Sequence, residues 1–230
     1  MPAQQDAAIF PNPLTSTLRV SEIFFSLQGE ATRVGLPTVF IRLTGCPLRC
    51  AWCDTRYAFT GGETLTLAEI LDKVRAASPS RVRHVCVTGG EPLAQKNCLT
   101  LLTLLCDAGY DVALETSGAL DIGGVDARVA RILDLKTPGS GEVDKNRWEN
   151  LALLTRQDEI KIVIADRADY DWATARIREH ALSTRFCVLL SPVQGRQDAT
   201  ELAEWILADG LDARFQMQLH KLLWGNMQGK

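Results

Sequence analysis

The chain has 230 residues, 46% of them hydrophobic and 23% charged, and carries a formal net charge of −3. That composition is ordinary for a soluble globular protein, and the length suits one α/β domain with a full core or two small domains. The charge gives no global pull toward nucleic acid or anionic lipid, and no apolar run approaches the ~18–20 residues of a membrane span.

From Met1 to Pro13 the chain reads as a loose, Pro-flanked leader without the basic and apolar regions of a secretory signal. The expected division is a leader over 1–17 and a single domain over 18–230. Strand-like runs are predicted at Val20–Leu27, Thr38–Leu43, His84–Thr88, Val112–Glu115, Ile132–Leu135, Ile160–Ile164, Phe186–Leu190 and Arg214–Met217. Helical runs are predicted at Leu67–Ala77, Gln95–Ala108, Asn146–Leu154, Asp169–Leu182 and Ala199–Asp209. Thr66 and Glu69 have capping-box spacing, and Gly109 and Gly210 fall where helix stops belong. No repeat or low-complexity tract interrupts this alternation, which predicts a mainly parallel sheet with crossover helices. Six to eight such units fit a βα barrel of TIM type, complete or partial, working at the C-terminal ends of its strands.

Unusual polar clusters fall just there: the cysteine loop after TVFIRL, Gly89-Gly90-Glu91-Pro92 after HVCVT, and Glu115-Thr116-Ser117-Gly118 after VAL. Asp134-Leu135-Lys136 closes RILDL, Ser191-Pro192-Val193-Gln194 follows FCVLL, and Gln218-Leu219-His220-Lys221 follows RFQM. Their shared end predicts one site.

Among them, Cys46, Cys50 and Cys53 lie within eight residues. Zinc normally takes a fourth Cys or His, and His84, His180 and His220 are all remote in sequence. A C-x-x-C redox pair would leave Cys46 without a task. A four-iron four-sulfur cluster on three thiolates uses all of them and leaves one iron open. Small-hydrophobe packing, the plain alternative, suits Cys86, Cys98, Cys106 and Cys187 on their apolar segments. An odd count of seven cysteines makes no complete disulfide framework and points to a reducing, cytoplasmic setting.

C-x-x-x-C-x-x-C with Trp52 before its last cysteine resembles the radical S-adenosylmethionine (SAM) superfamily, and Thr88-Gly89-Gly90-Glu91-Pro92 is similar to that superfamily's GGE motif. Phe25-Ser26-Leu27-Gln28-Gly29-Glu30, Phe40-Ile41-Arg42-Leu43-Thr44-Gly45-Cys46, Cys53-Asp54-Thr55 and Gln218-x-His220-Lys221 together resemble the 7-carboxy-7-deazaguanine synthase family, over roughly Val20 to Leu223. One departure is Ala31, where the family usually carries glycine; a positive φ there would disfavour alanine.

The resemblance implies a partial βα barrel. It also implies conversion of 6-carboxy-5,6,7,8-tetrahydropterin to 7-carboxy-7-deazaguanine with loss of ammonia, begun by a 5′-deoxyadenosyl radical that takes hydrogen from C6 of the pterin. It implies a 4Fe-4S cluster on Cys46, Cys50 and Cys53, with SAM chelated at the open iron, and Mg²⁺ beside Thr55. Substrate contacts are expected from Leu27, Gln28, Gly29, Glu30, Arg42, Thr88 and His220. Arg42 offers a planar fork to the carboxylate, and Gln28 and Glu30 offer acceptors to the ring's N–H edge. SAM contacts are expected from Trp52, Cys53, Asp54, Gly89, Gly90, Glu91, Ser117, Asp134, Leu135, Lys136, Ser191, Pro192, Val193 and Gln194. Partners so implied are the pterin, an electron donor such as flavodoxin or ferredoxin, and a second copy in a homodimer; neither nucleic acid nor membrane is expected.

Each residue also has a plain reading: a solvent-facing strand arginine for Arg42, a hydrophilic turn for Gln28 to Glu30, a structural histidine for His220, and a rim ion pair for Asp134 with Lys136. Two rival functions share part of the pattern. A glycyl-radical activase has the cysteine motif and GGE but lacks Gln28-Gly29-Glu30 and Cys53-Asp54-Thr55 paired with Arg42. A non-catalytic iron–sulfur electron carrier would need neither barrel nor GGEP.

Overall fold

The structure, a computed structural model, describes residues 12–79, 81–225 and 227–230. Positions 1–11 of the expected leader lie outside these. Pro13–Thr15 form a 3-10 turn capped by the Asn12 side chain, and the first strand already starts at Thr17, so ordered structure begins a few residues before the expected boundary.

Nine strands form one open sheet: β1 (Thr17–Leu27), β2 (Pro37–Leu43), β3 (Glu63–Thr66), β4 (His84–Gly89), β5 (Asp111–Thr116), β6 (Ala130–Leu135), β7 (Glu159–Ile164), β8 (Cys187–Pro192) and β9 (Arg214–Phe215), in the order β3-β1-β2-β4-β5-β6-β7-β8-β9. β2 and β4 to β9 run parallel, whereas β1 is antiparallel to both β2 and β3. The result is a partial βα barrel with an antiparallel hairpin at one edge. β3 had no apolar run to announce it: Glu63 and Thr64 are exposed, and its ladder to Thr17–Val20 of β1 holds it in place.

The α-helices among the described residues are α1 (Leu67–Ala77), α2 (Cys98–Asp107), α3 (Arg167–Glu179), α4 (Leu182–Arg185), α5 (Ala199–Ala208) and α6 (Leu219–Trp224). Thr66 and Glu69 form the expected capping box on α1. α2 starts later than its periodicity suggests, because Gln95 spends its side chain on the Arg19 and Thr44 carbonyls and the Arg19 N–H. The helix expected at Asn146–Leu154 is a 3-10 segment, Trp148–Ala152, where buried Asn150 donates to the Gly118 and Leu120 carbonyls.

Strand alternation sorts the interior. Val39, Ile41, Leu43, Val85, Val87, Val112, Leu114, Leu133, Leu135, Ile160, Ile162 and Ile164 face the helices and form the main core. The opposite face, the barrel's inside, carries a smaller apolar patch of Phe40, Cys86, Ala113 and Ile132 with Ala31. That patch is closed from below by the β1–β2 loop, which folds into the barrel at the N-terminal ends of the parallel strands. Gln28, Glu30 and Ala31 are all buried there.

Ala31 has φ = 64°, in the left-handed region that favours glycine. Gln216 holds it on both sides, accepting its N–H at 2.8 Å and donating to its carbonyl at 2.9 Å. Ala31→Gly would relieve roughly 1–2 kcal/mol of backbone strain. It would also lose a buried methyl worth about 0.8 kcal/mol and add unfolded-state freedom worth about 0.4–1 kcal/mol. The expected result is an unfolding midpoint within about 1 kcal/mol of the parent. Ala31→Val, branched at a positive φ and overfilling the patch, should fall clearly below it.

Candidate active site

One cavity of about 820 Å³ occupies the inside of the barrel and its mouth. It collects residues from widely separated segments. The loop after β2 brings Cys46, Cys50, Trp52, Cys53, Asp54 and Thr55, and the end of β4 brings Thr88, Gly89 and Gly90. Ser117 follows β5, Asp134 comes from β6 and Lys136 follows it, Val193 and Gln194 follow β8, and Leu27, Gln28, Gly29, Glu30, Arg42 and His220 complete the lining.

All three loop cysteines are free and partly buried. Burial pushes the Cys46 and Cys50 thiols up, while the Lys136 ammonium pulls both back toward the thiolate. Among the described residues no three Cys, His, Asp or Glu side chains close around a single metal ion. A cubane cluster differs from a single ion, because each thiolate binds its own corner iron and the three sulfurs stand further apart. Three free thiols on one loop, opening into one cavity beside a lysine, fit such a group.

The turn that leaves β4 holds this loop in place. Gly90 donates to the Leu43 carbonyl at 3.1 Å and Glu91 to the Gly45 carbonyl at 2.8 Å. A Cβ on Gly90 would stand 2.3 Å from the Gly45 oxygen and 2.8 Å from the Cys46 Cβ. Gly90→Ala is therefore expected to push the cysteine loop outward, costing about 1–3 kcal/mol and lowering iron incorporation. Iron per chain and the thermal midpoint check this, and a variant with parental values for both would contradict it.

Four expected SAM contacts do not line the cavity. Glu91 is fully buried, and its carboxylate accepts from Thr116 Oγ1, the Ser117 N–H and hydroxyl, and the Leu93 N–H. It shapes the β5 turn instead, and the Ser117 hydroxyl is spent on it. Leu135 and Pro192 fall on the helix-facing side by strand alternation, and Leu135 belongs to the main core. Ser191 has inward parity but is sealed, at 1% exposure, behind the wall.

Near the C-terminal end of β2, Arg42 faces the cavity in register with Thr88 of β4. Its Nε donates to Glu22 Oε1 at 2.7 Å, its guanidinium lies between the Phe24 and Tyr57 rings, and the Tyr57 hydroxyl donates to the same Glu22 oxygen. Among the described residues neither Nη atom makes a hydrogen bond, so the end of the fork is free for an anion. Gln28 donates to Glu115 Oε1 at 3.2 Å and accepts the Glu30 N–H, and Thr88 donates to Glu115 Oε2 at 2.9 Å. Gly29 lies against the His220 ring, where a Cβ would meet Nδ1 at 2.1 Å. Burial holds the His220 pKa below its ordinary value, so the ring is neutral at pH 7.

Burial alone would raise the Asp54 carboxyl, but the Lys221 ammonium 2.6 Å away and the Thr55 hydroxyl bring it down to about 2. Several cavity residues had been assigned no contact. Lys161 sits mid-strand in β7 and Glu115 near the end of β5, both on the inner face; a charged residue inside an otherwise apolar buried strand was the available signal for each. Gly225 and Met227 to Lys230 also line the cavity, where no sequence pattern marked a role.

An open α/β barrel with three unpaired thiols at the C-terminal end of its first parallel strand defines the class, and a profile of the radical SAM superfamily matches residues 40–206. The chain belongs to that superfamily and, within it, to the 7-carboxy-7-deazaguanine synthase family. Two relatives bearing that name are 42% identical (Koribacter versatilis, 90% of this chain and 97% of the relative) and 43% identical (Chlorobaculum tepidum, 90% and 94%). The crystal structure of QueE from Escherichia coli superposes with a TM-score of 0.72 at 24% identity, covering 89% of this chain and 95% of that one, a likeness of fold.

Proposed function

We propose that this chain is a carbon–nitrogen lyase that converts 6-carboxy-5,6,7,8-tetrahydropterin to 7-carboxy-7-deazaguanine, working as one barrel domain. The observation that carries this reading is the meeting, in one cavity, of the three-thiol loop with a carboxylate-binding arginine and a wall of acceptors. Substrate and product differ by one ammonia, so the conversion needs no net oxidant.

Cys46, Cys50 and Cys53 would hold the 4Fe-4S cluster, each giving up its thiol proton on ligation. The cluster with SAM supplies the radical initiator, and the protein's part is binding, orientation and exclusion of water. The free Nη end of Arg42 takes the substrate carboxylate, held flat by Glu22, Phe24 and Tyr57. Glu30, Glu115 and the Gln28 carbonyl offer acceptors to the aminopyrimidinone N–H groups, which resemble those of guanine. Neutral His220 can donate or accept at the same edge. Gly90, Asp134, Lys136, Val193 and Gln194 face the SAM side.

Mg²⁺ prefers hard oxygen ligands; the Thr55 hydroxyl meets that preference and substrate and water would supply the rest. The remaining parts of the proposal are a flavodoxin- or ferredoxin-type reductant, a cytoplasmic setting and a homodimer. No described helix is long and apolar enough to cross a membrane.

The test is anaerobic turnover of the reconstituted protein with dithionite, SAM, Mg²⁺ and 6-carboxytetrahydropterin, with product read by mass. Formation of 7-carboxy-7-deazaguanine is expected. SAM cleavage that leaves the pterin intact would refute the substrate and keep the superfamily chemistry.

A further inference from the structure

Lys161 projects inward from the middle of β7, between Ile160 and Ile162 of the main core. Its ammonium forms an ion pair with Glu30 Oε2 and stands 3.8 Å from Asp134 Oδ2. Asp134 pairs in turn with Lys136 at 3.0 Å. Four charges thus alternate along one wall, from the loop that floors the cavity to the strand end beside the cysteines. The other Glu30 oxygen, Oε1, accepts from Gln218 Nε2, so the carboxylate is gripped from both sides.

Desolvating such a pair is costly, and an apolar pair of similar size would hold the fold as well or better. Charges kept under those terms, in a cavity wall, call for a task besides stability. We propose that Lys161 is a positioning residue for substrate recognition: it fixes the ionised Glu30 carboxylate at the cavity floor, as the acceptor for the N–H edge of the bound ring. The inference rests on the substrate reading above and deepens it.

The chemistry follows from which form of Glu30 matches the ligand. An ionised carboxylate only accepts, which suits the N–H donors of an aminopyrimidinone. Without the Lys161 charge, burial favours the neutral acid, whose hydroxyl would face those donors. Burial pulls the Glu30 carboxyl up and the Lys161 ammonium pulls it down, and the balance lies below the ordinary value. Lys161 itself is held above its ordinary value by Glu30 and Asp134 against the effect of burial, so it serves as a fixed charge and not as a proton donor.

The experiment uses the reconstituted full chain and two readouts: steady-state turnover, and equilibrium binding of the fluorescent oxidised analogue 6-carboxypterin by anisotropy. Lys161→Met is expected to raise KM and the analogue's Kd together by roughly 10- to 100-fold, with kcat moving far less. Lys161→Arg, which keeps the charge, should recover much of the loss. Because Lys161 acts through Glu30, Glu30→Gln and Glu30→Gln/Lys161→Met should bind the analogue equally. That double variant has no unpaired partner in the pair, so the comparison stands even where Lys161→Met alone fails to fold.

Parental KM and Kd in Lys161→Met would overturn the proposal, as would a further tenfold loss on adding Lys161→Met to Glu30→Gln. A parental enzyme that neither binds 6-carboxypterin nor consumes the tetrahydropterin would instead refute the substrate reading, and this inference with it.

Discussion

Cys50→Ala is expected to end turnover and to leave the reconstituted protein short of iron. Cys50 is the middle thiol of the loop and lines the cavity beside Lys136. With two thiolates left, no three-point attachment remains for a cluster with one open corner. The loss should exceed the ~10–100-fold typical of removing an outer partner of a metal ligand. Cys187→Ser is the control: that thiol opens β8 outside the cavity, and its loss should leave iron content and SAM cleavage unchanged. A Cys50→Ala protein that keeps full iron and cleaves SAM would remove the loop from the centre of the site.

Asp158→Ala is expected to produce the largest loss of stability, with no direct effect on chemistry. Asp158 is fully buried just before β7. It accepts from Arg131 through the backbone N–H at 2.8 Å, Nε at 3.1 Å and Nη2 at 2.6 Å, and from the Thr155 N–H at 2.6 Å. Arg131 is 6% exposed at its side chain, so truncating Asp158 leaves a guanidinium charge inside the protein without a partner. Breaking a buried pair in this way costs about 3–5 kcal/mol. For a chain of this size that lowers the thermal midpoint on the order of 10 °C. Thermal unfolding of the apo-protein measures it, and a drop of only a degree or two would mean that water or a neighbour reaches Arg131. Both residues lie at the floor end of β6 and β7, so a folded sample at low temperature should still load iron.

Much of this was legible because parallel strands buried on both faces leave unbroken apolar runs. Eight of the nine strands were predicted, and six of them, β2 and β4 to β8, together with the strand-end placement of the cysteine loop, came from that signal. Alternation within a strand also separates Asp134, facing in, from Leu135, facing out, so the outward side chain of Leu135 was legible as core. Glu91 stands off the cavity for a different reason. The motif marks a tight join to the cysteine loop, and the side chain that looks free for a ligand is the one that ties β5 down. The floor was the least legible part. Gln28 to Glu30 enter from the end of the barrel opposite to every other cluster, because β1 runs against β2. No local pattern states where an antiparallel hairpin will tuck its loop. Nor could the sequence show that Lys161 would meet Glu30, since that pairing depends on the curvature of the whole sheet.

The floor loop is fastened to the far edge of the sheet. Ala31 is held by Gln216 across 185 residues of chain, the Gly29 carbonyl accepts the Leu219 N–H, and Glu30 is gripped by Gln218. During synthesis, then, the cysteine loop and the strands around it emerge long before the floor has anything to close against. Contacts this distant in sequence also form late in folding. The order of assembly thereby keeps a half-made barrel from holding a substrate next to a radical source.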